Sequence, residues 1–251
     1  MSDFSIKREE NQILYSRDTL KRLASDIKCI KKNPLNDQGI YYEHDQENIL
    51  KGYALIIGPP DTPYEYGHYF FDFDFPGNYP HSPPVVTFFN WGDNIRYNPN
   101  LYRNGKVCLS MLNTWKGEGW TSCQTITTIL LTLCTVLNEY PLCNEPGYTM
   151  ERKDEVNNYN KIIEYKNVEL AFIRCYQQLN IVIPDKYSPF LEFVKENVEK
   201  NWKNIEKKIN CKRSIIPSNT RINSQYNMTI DVNWDKLNDV FILLKNKIEN
   251  V

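Results

Sequence analysis

Tyr69-Phe70-Phe71-Asp72-Phe73-Asp74-Phe75 alternates aromatic and acidic side chains at a period of two. In extended backbone successive side chains point to opposite faces, so Phe71, Phe73 and Phe75 share one face and Asp72 and Asp74 the other. That pattern fits a strand with one buried face. Three further short runs, 40–44, 50–57 and 85–89, are bounded like this one (68–75) by Gly or Pro. Sequential strands joined by short turns predict a four-stranded antiparallel meander.

Helical periodicity surrounds the meander. Ser16 or Asp18 can cap a helix whose apolar stripe is Leu20, Leu23, Ala24, Ile27 and Ile30. Its other face carries Lys21, Arg22, Lys28, Lys31 and Lys32, which serve either as a solvated surface or as a docking face. A central helix is expected over 123–138, burying Ile126, Ile129, Leu130, Leu133, Val136 and Leu137. Helix, meander and further helices make an α+β domain. Beyond Tyr148 the composition turns polar, and two helical patterns cover 155–179 and 189–209. The second takes Ser188 as N-cap and Pro189 as its first residue. Residues 210–229 have turn chemistry and few apolar side chains, and read as a linker. Asp231 then caps a last helix with Trp234, Leu237, Phe241, Leu244 and Ile248 on one stripe, which must dock on its own core or on a partner. The expected organisation is a loose arm (1–15), a core (16–183) and a helical C-terminal extension (184–251).

The chemistry concentrates in Tyr97-Asn98-Pro99-Asn100-Leu101-Tyr102-Arg103-Asn104-Gly105-Lys106-Val107-Cys108-Leu109. Asn-Pro and Asn-Gly mark tight reversals, because Pro fixes φ and Asn and Gly tolerate positive φ. A cysteine just after such turns, with an amide eight positions upstream, is how an acyl-carrying thiol with a nearby donor would be built. The same cysteine could instead be a small buried hydrophobe.

The segments Gly58-Pro59-Pro60-Asp61-Thr62-Pro63-Tyr64-Glu65-Tyr66-Gly67-His68-Tyr69-Phe70 and Tyr79-Pro80-His81-Ser82-Pro83-Pro84 precede that run. Together, in order and spacing, they resemble the core of the ubiquitin-conjugating enzymes. Trp115 to Trp120 and Tyr140-Pro141-Leu142-Cys143-Asn144-Glu145-Pro146-Gly147-Tyr148 resemble the large hybrid subgroup that combines conjugating and ligase activity. The resemblance is dense from about Leu50 to Tyr148. It implies the ubiquitin-conjugating fold, with Cys108 as the nucleophile that takes the modifier as a thioester and passes it to a lysine amine. It implies ubiquitin or a ubiquitin-like modifier, a ubiquitin-activating enzyme, a ubiquitin ligase and protein substrates as partners. It also places Lys21, Arg22 and Lys28 toward the activating enzyme.

On the same resemblance Asn100 either donates to the oxyanion at the thioester carbonyl or holds the loop by bonding a backbone carbonyl. Asn98, where most family members carry His, shapes the turn together with Pro99. Ser110 replaces a common Asp. An acidic group that helps the lysine amine would come from Glu139 or Glu145. The Trp115–Trp120 segment is either a mobile flap or a packed aromatic turn. His81 stands where the family often has a large apolar residue, at a loop that meets ligases. Two other readings share these residues: an inert ubiquitin-binding scaffold, and a Cys-His thiol hydrolase that would need His68 or His81 at the thiol.

Thirty basic and thirty-one acidic side chains balance to −1, which predicts no general attraction to nucleic acid or membrane. The first twenty residues lack an apolar signal-like region, and no apolar run reaches the roughly 18 residues of a membrane span. Seven cysteines with no Cys-x-x-Cys predict free thiols in a reducing compartment, cytoplasmic or nuclear. Cys29 and Cys134 read as packing residues. Cys123 and Cys143 flank the site and are either packing residues or oxidation partners for Cys108. No metal-ligand spacing links His44, His68 or His81 to another ligand, and no cofactor is expected.

Overall fold

The alternating run forms β3 (His68–Asp74) of a sheet ordered β1-β2-β3-β4, with β1 at Ile40–His44, β2 at Lys51–Ile57 and β4 at Val85–Phe88. All three pairings are antiparallel, as the turn spacing predicts. The protein is seen here in a computed structural model that describes residues 16–92, 94–177 and 183–249, so the arm expected over 1–15 lies outside the described residues. Phe71, Phe73 and Phe75 are buried, Asp72 is half-buried and Asp74 is exposed.

Helix α1 (Arg17–Lys32) starts at Ser16, whose hydroxyl accepts from the Thr19 N–H at 3.0 Å. Its buried face is Thr19, Leu23, Asp26 and Ile30, while Ala24 is exposed. The stripe is rotated from the expected one because two polar residues find partners inside. The Thr19 hydroxyl donates to the Gly77 carbonyl at 2.7 Å, and Asp26 accepts from Tyr79 Oη at 2.5 Å and from Arg22 Nε at 2.9 Å. The central helix α2 (Ile126–Val136) is capped by a Thr125–Thr128 box and buries Ile126, Ile129, Leu130 and Leu133, with Val136 only half-buried.

The second half of the chain continues helically through α3 (Lys153–Lys166), a π-helical stretch (Asn167–Arg174) and one last turn, α4 (Cys175–Gln177). Asn167 is buried at the start of the π-helix. Its Oδ1 accepts from Tyr69 Oη at 2.6 Å and its Nδ2 donates to the Glu65 carbonyl at 2.9 Å. Position 67 has to be glycine here, since a Cβ would sit 1.8 Å from Asn167 Oδ1.

Three expectations for the C-terminal part need correction. Ser188 and Pro189 lie inside a 3₁₀ turn (Asp185–Phe190), and helix α5 runs from Leu191 to Ile215. Residues 210–229 are not a linker: α5 occupies the first six, and β5 (Thr220–Ser224) with β6 (Met228–Val232) forms an antiparallel hairpin. Asp231 lies within β6, and Asn233 caps α6 (Trp234–Glu249) by accepting from the Lys236 N–H at 2.8 Å.

Beyond residue 184 the described chain packs on the sheet. Tyr187 and Phe190 lie against the sheet face that carries Phe70 and Asp72. The rings of Phe70 and Tyr187 are 4.8 Å apart, and Tyr187 Oη donates to Asp72 at 2.8 Å. On α5, Asn197 Nδ2 donates to the Tyr66 carbonyl at 2.8 Å and contacts His68 Nε2 at 2.9 Å, and Lys208 pairs with Glu65 at 2.9 Å. Trp234, Leu237, Phe241 and Leu244 are buried, and the core runs on from the sheet through α5 and α6. Both faces of β3 are therefore covered.

Candidate active site

The two turns predicted around Cys108 fold back on each other. Asn98 pairs with Leu101, Leu101 with Val107, and Tyr102 N–H donates to the Lys106 carbonyl at 2.9 Å, giving a small hairpin with Asn104-Gly105 at its tip. Gly105 has φ +86°, and a Cβ there would lie 2.8 Å from the Phe88 carbonyl, so this tip also ties the site to β4.

Cys108 and Asn100 hold each other through two bonds. The Cys108 N–H donates to the Asn100 carbonyl at 2.8 Å, and Asn100 Nδ2 donates to the Cys108 carbonyl at 2.7 Å. Of the two roles open to Asn100, it fills the loop-holding one in this state. Asn98 is fully buried. Its Nδ2 donates to Tyr64 Oη at 2.9 Å and to the Val136 carbonyl at 2.7 Å, and its Oδ1 accepts from the Asn100 N–H at 2.9 Å. An amide supplies both the donors and the acceptor that this position uses. Pro99 lies between the two asparagines, and its carbonyl accepts from Arg96 Nη2 at 2.6 Å.

The thiol itself is almost wholly enclosed, with 2% of Cys108 accessible, and Sγ donates to the Thr114 carbonyl at 2.8 Å. The Thr114 hydroxyl accepts from the Leu109 N–H at 2.9 Å and donates to the Val107 carbonyl at 2.9 Å, so one residue braces both sides of the cysteine. Neither Thr114 nor Arg96 stands out in the sequence, because each acts through contacts that no local pattern announces. After Thr114 the segment is exposed to Gly119 and is pinned again at Trp120, whose indole N–H donates to the Pro80 carbonyl at 2.7 Å. The packed aromatic is present at Trp120, and the residues before it form an exposed loop.

Glu139 and Glu145 are not brought to the thiol. Glu145 accepts from Tyr226 Oη at 2.7 Å, and Glu139 is exposed beside Tyr140, lining a cavity with Asp61, Asn160 and Lys208. Ser110 opens a short 3₁₀ turn (Ser110–Leu112) just beyond Cys108. On α1, Lys21 and Lys28 are exposed. Arg22 is committed within the chain, to Asp26 and to the carbonyls of Ser122 and Gln124 at 2.5 Å each. It clamps α1 onto the start of α2.

No histidine meets Cys108. His68 is buried between the Ala171 carbonyl and Asn197, His44 between Tyr42 Oη and the Ile49 carbonyl, and His81 is exposed beyond β3. All seven cysteines are free thiols. Burial raises the thiol pKa of Cys134, Cys143 and, most strongly, Cys175, which makes them poorer nucleophiles. Cys29, Cys123 and Cys211 are exposed.

The sequence profile of the ubiquitin-conjugating enzymes matches residues 22–167, which contain the sheet, α2 and the Cys108 hairpin, and the chain belongs to that family. Ubiquitin-conjugating enzyme E2 Z of Xenopus tropicalis is 35% identical over 201 residues, 76% of this chain and 62% of its own length. The Homo sapiens protein of the same name is 42% identical over 154 residues, 61% of this chain and 43% of its own. Human ubiquitin-conjugating enzyme E2 G1, a solved structure, covers 48% of this chain and 94% of its own at 32% identity, with a TM-score of 0.42. The chain thus spans 62% or less of the length of these E2 Z relatives. No described helix is long and apolar enough to cross a membrane.

Proposed function

We propose that Cys108 accepts the C-terminal acyl group of ubiquitin or a ubiquitin-like modifier from an activating enzyme and delivers it to a lysine amine of a protein substrate. The observation that carries this reading is the two-bond bracket between Asn100 and Cys108, on a turn whose buried amide, Asn98, is fully used in shaping it. A cysteine kept merely for packing has no need of such a frame.

In the first step the Cys108 thiol leaves the Thr114 carbonyl, loses its proton to solvent and attacks the activating enzyme's thioester carbonyl. A new C–S bond forms, the tetrahedral oxyanion collapses, and the activating enzyme's cysteine departs as thiolate. In the second step a neutral lysine amine attacks the Cys108 thioester, the C–N bond forms, and Cys108 leaves as thiolate while the amine's surplus proton passes to solvent. A thiol is nucleophilic enough to do without a dedicated base, which suits a site with no histidine. Asn100, with its amide committed to the Cys108 carbonyl, fixes the backbone from which sulfur projects. We give neither Glu139 nor Glu145 the lysine proton, since Glu145 is held by Tyr226 Oη and Glu139 lines the cavity of Asp61, Asn160 and Lys208. Lys21 and Lys28, exposed on α1, are the candidate contacts for the activating enzyme; Arg22 is spent inside the fold. A ligase partner would meet the loop containing His81.

The test is incubation with activating enzyme, ATP and ubiquitin followed by a non-reducing gel. Cys108 should carry a reducible adduct, Cys108→Ser a reduction-resistant ester and Cys108→Ala none. An adduct that survives in Cys108→Ala and is lost on changing Cys123 would move the nucleophile elsewhere. Absence of any adduct on the unaltered chain favours the inert-scaffold reading.

A further inference from the structure

The tip of the C-terminal hairpin reaches the catalytic run. Tyr226 has φ 59°, a left-handed conformation that a bulky residue adopts only when its surroundings impose it. Three contacts do so. Tyr226 Oη donates to Glu145 at 2.7 Å, its carbonyl accepts from Arg103 Nη2 at 2.5 Å, and its ring lies 4.0 Å from the Arg96 guanidinium carbon. The opposite face of Arg96 meets the Tyr102 ring at 3.8 Å, so the guanidinium is sandwiched between two tyrosines. Arg96, Tyr102, Arg103, Asn104 and Tyr226 line an open cavity of about 230 Å³.

The charges around this cavity favour the cations: Arg96, Arg103 and Lys106 against Glu145. Arg96 and Arg103 are half-buried, yet among the described residues neither makes an ion pair, whereas the half-buried Arg22 is paired with Asp26. Their Nη2 atoms go to the Pro99 and Tyr226 carbonyls, and both Nε atoms are buried with no hydrogen-bond partner. Lys106, unpaired as well, sits 5.7 Å from the Tyr102 ring. The one carboxylate bonded to this group, Glu145, is held by Tyr226. Exposed unpaired cations are ordinary. Two half-buried guanidiniums with no carboxylate bonded to either, held in place by π faces and carbonyls, form a preorganised receptor for an anion.

We propose that this cavity is an acidic-residue subsite that selects lysines flanked by a carboxylate or phosphoserine side chain in the protein substrate. The assignment of a lysine acceptor rests on the proposed function; the anion chemistry does not. Position supports it. Tyr102 pairs with Lys106 two residues short of Cys108, a separation of about 7 Å along extended chain, and a side chain two to four residues from an acceptor lysine spans about 7–13 Å.

The test uses the full chain and four short peptides, identical except for residues three positions from a single lysine: Glu, phosphoserine, Gln or Lys. Binding to the uncharged protein is followed through the ring resonances of labelled Tyr102 and Tyr226. The Glu peptide should bind roughly tenfold tighter than the Gln peptide, phosphoserine tighter still and the Lys peptide weakest, with the preference shrinking as salt rises. Arg103→Gln and Lys106→Gln should each reduce the preference. In transfer assays the Glu peptide should show a lower half-saturating concentration at similar maximal rate. Equal binding of the Glu and Gln peptides to the unaltered protein overturns the subsite without recourse to any variant. If the peptides discriminate but Cys108 never charges, the subsite stands and the proposed function falls.

Discussion

His68 gives the sharpest quantitative test of how the two halves of the chain are joined. It opens β3 and is fully buried, with Nδ1 2.7 Å from the Ala171 carbonyl and Nε2 2.9 Å from Asn197 Nδ2 on α5. A carbonyl can only accept, so Nδ1 carries the proton. Asn197 presents its N–H₂ group, because that nitrogen also donates to the Tyr66 carbonyl. Nε2 must therefore accept, and the ring is neutral. Burial penalises the imidazolium and, despite the favourable Ala171 bond, lowers the pKa from 6.5 to about 4. Between those values the unfolded chain binds the proton and the folded one does not, so stability is full above about pH 6.5 and is lost as pH falls toward 4.

The slope in that window approaches about 1.4 kcal/mol per pH unit, and the loss from pH 7.5 to pH 4.5 comes to about 2.5 kcal/mol. Against a total stability of about 5–15 kcal/mol, that is a large fraction. The assay is urea unfolding at four pH values for the natural chain and for His68→Gln. Glutamine can donate to Ala171 and accept from Asn197 but does not titrate. Carboxylates titrate in both proteins, so the difference between their slopes isolates His68. Parallel pH profiles, or a His68 ring that titrates near 6.5 by NMR, would falsify the tautomer argument.

Asn100→Ala removes the 2.7 Å bond to the Cys108 carbonyl and should cost about 1–2 kcal/mol in stability while slowing both charging and transfer. A variant that melts normally and charges normally but transfers slowly would instead make Asn100 an oxyanion donor. Reversing charge at Lys21 and Lys28 together should raise the concentration needed for half-maximal charging and leave transfer to free lysine unchanged, read in separate charging and single-turnover assays; unchanged charging would make this face mere solvated surface. A chain ending at Ile183 loses four fully buried side chains, Tyr187, Phe190, Val194 and Val198, and uncovers the sheet face under the first two. At about 1.5–3 kcal/mol for each such side chain this approaches the whole stability of a domain, so calorimetry should show no cooperative melting. A sharp transition in the shortened chain would show that residues 16–183 fold as a unit of their own.

What the sequence made legible is what local rules govern. The meander followed from a period of two between Gly and Pro breaks, and the Cys108 hairpin from Asn-Pro and Asn-Gly. Helix α2 was legible from its apolar stripe, although it runs from Ile126 to Val136, shorter at both ends than the expected 123–138. The hairpin at 220–232 escaped for an equally physical reason. Its inward residues are Ile222, Met228 and Val232, few enough to resemble a linker, and its left-handed turn positions are filled by Tyr226 and Asn227, where a glycine would have announced them. Likewise Ser188-Pro189 carries the signature of a helix start, but the chain first takes a 3₁₀ turn that sets Tyr187 against Phe70 and Asp72. Tertiary contact overrode the local signal.

At the site the same division holds. Asn98, Pro99, Asn100 and Cys108 come together because they are neighbours on one turn, and their chemistry is local. Glu145 was legible as an acid near the site but not as the anchor of Tyr226, eighty-one residues later in the chain. Arg96 has the same hidden dependence: one nitrogen supports the Pro99 carbonyl of the catalytic turn, while the guanidinium it belongs to is sandwiched by a ring that arrives from the C-terminal hairpin. Removing that ring leaves Arg96 with Tyr102 alone, and the support under Pro99 loses one of its two walls. The extension is thus joined to the catalytic turn by contact as well as by covalent linkage, and a change at Tyr226 acts on the geometry of Pro99 before it acts on anything the hairpin itself could bind.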